Sequence, residues 1–257
     1  MPSVKFSVNV QAKQVKLVTS LLVTMATTSV GCSWDFNNPR PNERDVQIVG
    51  DSVFDLSGDI HSVLHGLSGK KYKDRSVSGA KIAAIDRQLA RAENRSSLET
   101  VIADGGANDI LQSSTDCDSD PLTSACLNLV DYVADVQWNM INDMYVGPSD
   151  DHVWLGYYHV KAPEAEKNEA IDYVHDALYP DMFDLTPYGG SYYSGSVAGY
   201  GTFYGSTLGA FNLAVMDPRG SIVPSDLKSD GIHPTYSGSV KLGNLIWGTM
   251  VDQNMYR

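Results

Sequence analysis

The chain has 257 residues, of which 42% are hydrophobic, and its formal net charge is -12. This length and apolar content allow a sizeable core, which excludes a largely disordered chain. The acidic balance, and a sequence without clustered Lys, Arg and aromatic residues, argue against a nucleic-acid partner.

The first 31 residues differ from the rest of the chain. They contain Lys5, Lys13 and Lys16 but no Asp or Glu, and they include an apolar stretch diluted by Thr and Ser. A basic start, a short apolar segment and small residues are typical of a secretory signal peptide. A membrane span would need about 20 apolar residues. We therefore predict a signal peptide over 1–31 and an exported protein.

Cys32 follows small residues, as the lipidated cysteine of a bacterial lipoprotein does, but Ser29 stands where such signals usually carry Leu. Two alternatives stay open. Cys32 is either a lipidated N-terminus that attaches the protein to a membrane, or a free thiol near an ordinary cleavage site. The first predicts an outer-membrane-anchored or periplasmic lipoprotein, and the second a periplasmic or secreted protein. The polar, proline-containing segment 32–44 is typical of a tether.

From 45 to 257, strand-like and helix-like segments alternate. Strands are predicted from short β-branched and aromatic runs, at 46–49, 99–103 and 152–160. Helices are predicted from apolar residues three and four apart, at 52–67, 81–93, 127–145, 165–180 and 237–255. This alternation predicts one α/β domain whose parallel sheet is covered on both faces.

Two further stretches lie between these elements. Residues 186–209 are rich in Gly, Ser and Tyr, which predicts a long surface loop that is either functional or simply mobile. Cys117 and Cys126 stand close together, and in an oxidising compartment they can close a small loop as a disulfide. Their spacing is not C-x-x-C and the chain has no second pair, so no zinc site is predicted.

Four short motifs stand where a strand ends or a helix begins. They are GDS at 50–52, SVSGAKI at 76–82, DGGAND at 104–109 and SDGIHPT at 229–235. In an open parallel sheet the carboxyl ends of the strands form the ligand crevice, so we expect these motifs to gather there.

The gathered side chains provide the parts of an acyl-transfer site. Ser52 needs a base, a role for which histidine is suited near neutral pH, and His233 can fill it. Asp230, three residues earlier, can orient the imidazole. Oxyanion donors are available from the backbone N–H groups of Ser52 and Gly79 and from the side-chain amide of Asn108. Taken alone, Ser52 or its neighbour Asp51 reads equally well as a helix N-cap.

In this order, GDS, Gly79, GAND at 106–109 and DGIH at 230–233 resemble the four sequence blocks of the SGNH, or GDSL, hydrolases. The resemblance covers about 46–247. It implies a three-layer α/β/α fold with a flavodoxin-like parallel sheet in one domain over 45–257. It also implies Ser52 as nucleophile, Asp230 and His233 as its partners, and Ser52, Gly79 and Asn108 as the oxyanion hole. No metal or other cofactor is implied.

The function implied is a serine esterase or lipase that hydrolyses carboxylic esters through an acyl-enzyme. A carbohydrate O-acetylesterase is the first alternative, because the tyrosines of 188–204 suit either an acyl chain or a sugar. A non-catalytic surface binding protein with the same fold is the second. The expected partner is a small ester, a lipid or an acetylated carbohydrate, and the sequence leaves the oligomeric state open.

Overall fold

The computed structural model of the chain describes residues 44–257. The signal peptide predicted over 1–31, Cys32 with its predicted lipid, and nearly all of the tether predicted over 32–44 lie outside these residues.

The centre of the domain is a seven-stranded sheet in the order β2-β1-β3-β4-β7-β6-β5. The strands are β1 (Val46–Val49), β2 (Lys73–Asp74), β3 (Thr100–Ala103), β4 (Asp151–Leu155), β5 (Ser191–Val197), β6 (Gly201–Leu208) and β7 (Phe211–Asp217). The first four strands and β7 run parallel, whereas β5 and β6 form an antiparallel hairpin that joins the sheet through β7. Every residue of β1 and β3 is buried, as expected for parallel strands covered on both faces.

Helices cover both faces of this sheet. They are α1 (Ser52–Asp55), α2 (Gly58–Ser68), α3 (Ile82–Glu93), α4 (Ala107–Leu111), α5 (Ser124–Val146), α6 (Asn168–Tyr173), α7 (Tyr179–Met182) and α8 (Tyr236–Asp252). Successive side chains of a strand point to opposite faces. Ile48 therefore packs into the core beneath α2 and α8, and Val49 into the core beneath α3 and α5. The predicted three-layer α/β/α domain is confirmed, with a sheet that is mixed rather than wholly parallel.

The prediction of a long surface loop at 186–209 is wrong, because this segment is mainly the β5–β6 hairpin. Two of its glycines allow close packing. Gly195 faces the ring of Phe203, and Gly205 lies against the backbone of Leu213 in β7, so a Cβ at either position would collide. These two glycines thus reflect close contacts within the sheet. Turns with positive φ account for three others, Gly189, Gly199 and Gly209.

Other predicted boundaries also move. The helix predicted at 52–67 is two helices, separated at Leu56 and Ser57. The strand predicted at 152–160 ends at Leu155, and the rest is a loop. Pro180 does not end the helix predicted at 165–180. It lies in the first turn of α7, where proline is tolerated because the first helical N–H groups have no intrahelical partner.

Candidate active site

The turn after β1 presents Ser52 at the carboxyl edge of the sheet. Asp51 is the N-cap of α1 and accepts a hydrogen bond from Val53 N–H (2.9 Å), so Ser52 is the first helical residue. At that position a backbone N–H has no carbonyl partner within the helix. Gly50 must lack a side chain, because a Cβ there would collide with the Asp104 carboxyl group. The turn therefore holds the Ser52 side chain and N–H at the sheet edge.

The loop before α8 brings two predicted partners to Ser52. His233 Nε2 lies 2.9 Å from Ser52 Oγ, and His233 Nδ1 lies 2.9 Å from Asp230 Oδ2. Asp230 Oδ1 also accepts hydrogen bonds from the N–H groups of Ile232 (2.9 Å) and His233 (3.0 Å). Partial burial raises the pKa of Asp230, but these N–H groups and the His233 ring together lower it to about 2. Asp230 is therefore a carboxylate at neutral pH and can hold a proton on Nδ1.

This loop is fixed by the segment that follows β4. Tyr158 donates its hydroxyl to the Ile232 carbonyl (2.8 Å), and Lys161 N–H donates to the Gly231 carbonyl (2.9 Å). Gly231 has φ +79°, and a Cβ there would collide with the Lys161 carbonyl. The sequence analysis did not identify Tyr158 and Lys161 as supporting residues, because neither of them belongs to a motif.

The two other predicted oxyanion donors also lie together. Asn108 is in α4, which begins after Gly106 (φ +116°), and its Nδ2 donates to the Ala80 carbonyl (3.2 Å) in the turn that carries Gly79. Val77 N–H in that turn donates to the Gly50 carbonyl (3.1 Å) in the turn that carries Ser52. The structure therefore brings Ser52, Gly79 and Asn108 to the same edge of the sheet.

Two carboxyl groups are buried behind Ser52. Asp104 Oδ1 accepts from Asp51 N–H (2.8 Å), and Tyr157 donates its hydroxyl to Asp51 Oδ2 (3.0 Å). Burial raises the pKa of Asp51, although Val53 N–H and the Tyr157 hydroxyl oppose the shift. Burial and the neighbouring Asp51 raise the pKa of Asp104 well above the usual Asp range. No hydrogen-bond donor among the described residues stabilises a negative charge on Asp104 Oδ2, so we assign a proton to Asp104.

A cleft opens beside Ser52 and Asn108. Apolar side chains dominate its walls, namely Val53, Ile110, Leu111, Val133, Val160, Ile171, Val174 and Ile232. The tyrosines that line it are Tyr157, Tyr158 and Tyr179, and none of its lining residues within the described part of the chain comes from 186–209. Among the tyrosines predicted to contact substrate, Tyr193 has a structural role instead. Tyr193 bonds to Asn212 and to the Leu213 carbonyl, both at 2.8 Å.

The structure also bears on the predicted disulfide, on metal binding and on membrane-spanning helices. Cys117 and Cys126 are joined by a disulfide whose Cα atoms are 5.2 Å apart. Within residues 44–257, no group of three His, Cys, Asp or Glu side chains is arranged to hold a metal ion. Over the same residues, no helix is both long enough and apolar enough to cross a membrane.

Comparison with known proteins gives matches in structure only. No protein-family model matches the chain, and no curated protein matches it in sequence. A GDSL-like lipase from Bacteroides thetaiotaomicron superposes with a TM-score of 0.54 at 13% identity, over 83% of this chain and 91% of that one.

Two acetyl ester hydrolases are also similar in structure. A mutant acetyl esterase crystallised with an acetate ion has a TM-score of 0.57 at 13% identity, over 80% of this chain and 96% of that one. An acetyl xylan esterase from Geobacillus stearothermophilus has a TM-score of 0.51 at 10% identity, over 82% of this chain and 96% of that one. The chain therefore has the three-layer α/β/α fold of these lipase and acetyl esterase structures.

Proposed function

We propose that this chain is a serine ester hydrolase of the SGNH type, with Ser52 as nucleophile, His233 as base and Asp230 as the group that orients His233. The observation that carries the proposal is the continuous series of contacts from Ser52 Oγ to His233 and from His233 to Asp230, each 2.9 Å long. A helix N-cap alone needs neither His233 nor Asp230, and Asp51 already fills that role.

In the proposed reaction, His233 Nε2 removes the Ser52 Oγ proton as Oγ attacks the ester carbonyl carbon. The negative charge moves to the carbonyl oxygen, where Ser52 N–H, Gly79 N–H and the Asn108 amide stabilise it. The carbonyl re-forms, and the alkoxide leaves with the proton from His233. Water, deprotonated by His233, then attacks the acyl-enzyme and releases the carboxylic acid and free Ser52.

A direct test compares Ser52→Ala with Ser62→Ala, which changes an exposed serine of α2. We expect Ser52→Ala to lower kcat for p-nitrophenyl butyrate by at least about 10³-fold, because removing a nucleophile of this kind abolishes the covalent pathway. Thermal unfolding should be unchanged in both variants, and Ser62→Ala should keep full activity. Hydrolysis by Ser52→Ala at the rate of the unaltered chain would refute the proposal.

The apolar cleft supports an ester with an apolar acyl chain as the preferred substrate. An acyl chain packed against Val133, Ile171 and Val174 would be transferred from water to an apolar surface, which is favourable. A sugar would instead place its hydroxyl groups against walls that offer few hydrogen-bond partners. The likeness to acetyl esterase and acetyl xylan esterase structures favours the second candidate, an acetylated carbohydrate. Rates on p-nitrophenyl acetate, p-nitrophenyl octanoate and acetylated xylo-oligosaccharides separate the two candidates.

We also propose export, with a signal peptide over 1–31 and either lipidation of Cys32 or release of the mature protein. The buried disulfide of Cys117 and Cys126 supports an oxidising compartment. Mass spectrometry of the mature N-terminus from a bacterial host, with and without Cys32→Ala, distinguishes the two outcomes. A diacylglyceryl mass on Cys32 indicates an anchored lipoprotein, and an unmodified N-terminus indicates a released protein.

A further inference from the structure

We propose that Gln112 is a positioning residue of the oxyanion hole, an inference that rests on the proposed function. Gln112 is the C-cap of α4, one turn after Asn108. Its Nε2 donates to Asn108 Oδ1 at 2.9 Å and reaches the Gly79 carbonyl at 3.5 Å, the long limit of a hydrogen bond. One side-chain amide thus contacts two of the three residues that supply oxyanion donors.

The first contact fixes which way the Asn108 amide faces. An amide has an acceptor oxygen at one end and an NH₂ donor at the other. Asn108 Oδ1 accepts from Gln112, and Asn108 Nδ2 donates to the Ala80 carbonyl at 3.2 Å. A flipped amide would set NH₂ against NH₂ at Gln112 and oxygen against oxygen at Ala80. The observed orientation keeps the second Nδ2 hydrogen available for an oxyanion.

The second contact holds the turn that carries Gly79. Gly79 has φ +74°, and a Cβ there would lie 3.7 Å from Gln112 Nε2, so the amide lies directly over this glycine. Gln112 therefore links α4 to the Gly79 turn. A fixed separation between donors matters, because donors set in advance stabilise the oxyanion without reorganising during the reaction.

Gln112 acts only through its neighbours. It is exposed, and it is not among the described residues that line the cleft. Substrate binding in the cleft should therefore not depend on it, and its loss should lower kcat while KM stays unchanged.

The experiment measures kcat and KM for p-nitrophenyl butyrate in a double-mutant cycle of Gln112→Met and Asn108→Ala, with the full chain. Met keeps the length of Gln but cannot donate. We expect Gln112→Met to lower kcat about 3- to 10-fold, the worth of one hydrogen bond. In the Asn108→Ala background the same change should alter kcat by less than about twofold, because the 2.9 Å contact with Asn108 is already lost and only the weak 3.5 Å contact with Gly79 remains. Gln112→Ala replaces Gln112→Met if the latter unfolds at a lower temperature.

Replacing the Gln112 donor with an acceptor tests the orientation of the Asn108 amide more sharply. Gln112→Glu places a carboxylate opposite Asn108 Oδ1, which favours the flipped amide, so its kcat should fall at least about threefold further than that of Gln112→Met. Ser114→Glu is the matched control, since it adds the same charge on an exposed residue of the same segment. Its kcat should stay near that of the unaltered chain.

The outcomes separate this inference from the proposed function. Suppose that Ser52→Ala is inactive but that Gln112→Met lowers kcat by the same factor with and without Asn108. The proposal of an ester hydrolase is then supported, and the positioning role of Gln112 is overturned. Equal losses in Gln112→Glu and Ser114→Glu also overturn the positioning role. An unaltered chain that hydrolyses no ester overturns both proposals.

Discussion

Narrowing the cleft should shorten the acyl chain that the proposed hydrolase prefers. Ile171, in α6, is 8% exposed and forms part of the cleft wall. Ile171→Phe adds three side-chain carbons and should displace about two methylene groups of a bound chain. Each buried methylene is worth about 0.8 kcal/mol, so the loss is about 1.6 kcal/mol, or about 15-fold in kcat/KM. That factor should apply to p-nitrophenyl octanoate, while p-nitrophenyl acetate should be hydrolysed as before.

The assay is the octanoate-to-acetate ratio of kcat/KM. Ala177→Phe is the control, because it places the same ring at an exposed position in the π-helical turn Val174–Leu178, which follows α6. Overpacking costs about 1 to 3 kcal/mol of stability, so the unfolding midpoint of each variant is measured alongside. A ratio that Ile171→Phe leaves unchanged would refute the assignment of this cleft to the acyl chain.

Three other predictions follow from the contacts of the site and its surroundings. Asp230→Asn should lower kcat by at least about 10²-fold at pH 7.5, because His233 loses the carboxylate that holds its tautomer; a loss below about threefold would contradict the assigned role. Because burial raises the pKa of Asp104, the folded chain keeps a proton that the unfolded chain releases, so stability falls as pH rises above about 3.9 toward the folded pKa. Asp104→Asn should therefore weaken the decrease of the unfolding free energy, measured by urea denaturation, between pH 5 and pH 8. The same pH dependence in both proteins would contradict a proton on Asp104. Reducing the disulfide between Cys117 and Cys126, nine residues apart, should cost about 2 to 3 kcal/mol of unfolding free energy, and no difference with reductant would contradict a structural role.

The sequence predicts which side chains lie together at the candidate site, because its motifs mark strand ends. The turns at Ser52 and Asn108 follow β1 and β3, and carboxyl ends of parallel strands meet at one edge of the sheet. Asp230 and His233 are separated by only two residues, so a loop that places one of them near Ser52 also places the other nearby. The distances between these groups follow from the sheet order, which the sequence does not state.

The missed features depend on contacts between distant segments. Gly195 and Gly205 lower local strand propensity, and only the nearby Phe203 ring and the β7 backbone explain them. Gln112 and Tyr157 are ordinary polar residues in sequence, and their roles come from lying 2.9 Å and 3.0 Å from Asn108 and Asp51, respectively. Propensity and periodicity contain no information on such contacts.

Covalent labelling tests the central claim most directly. The full chain is incubated with a fluorophosphonate probe, and the modified peptide is identified by mass spectrometry. The account predicts a single adduct on Ser52, formed more slowly in His233→Ala and absent in Ser52→Ala. An unaltered chain that takes up no probe, or that carries it on another residue, would contradict the assignment of Ser52 as the nucleophile.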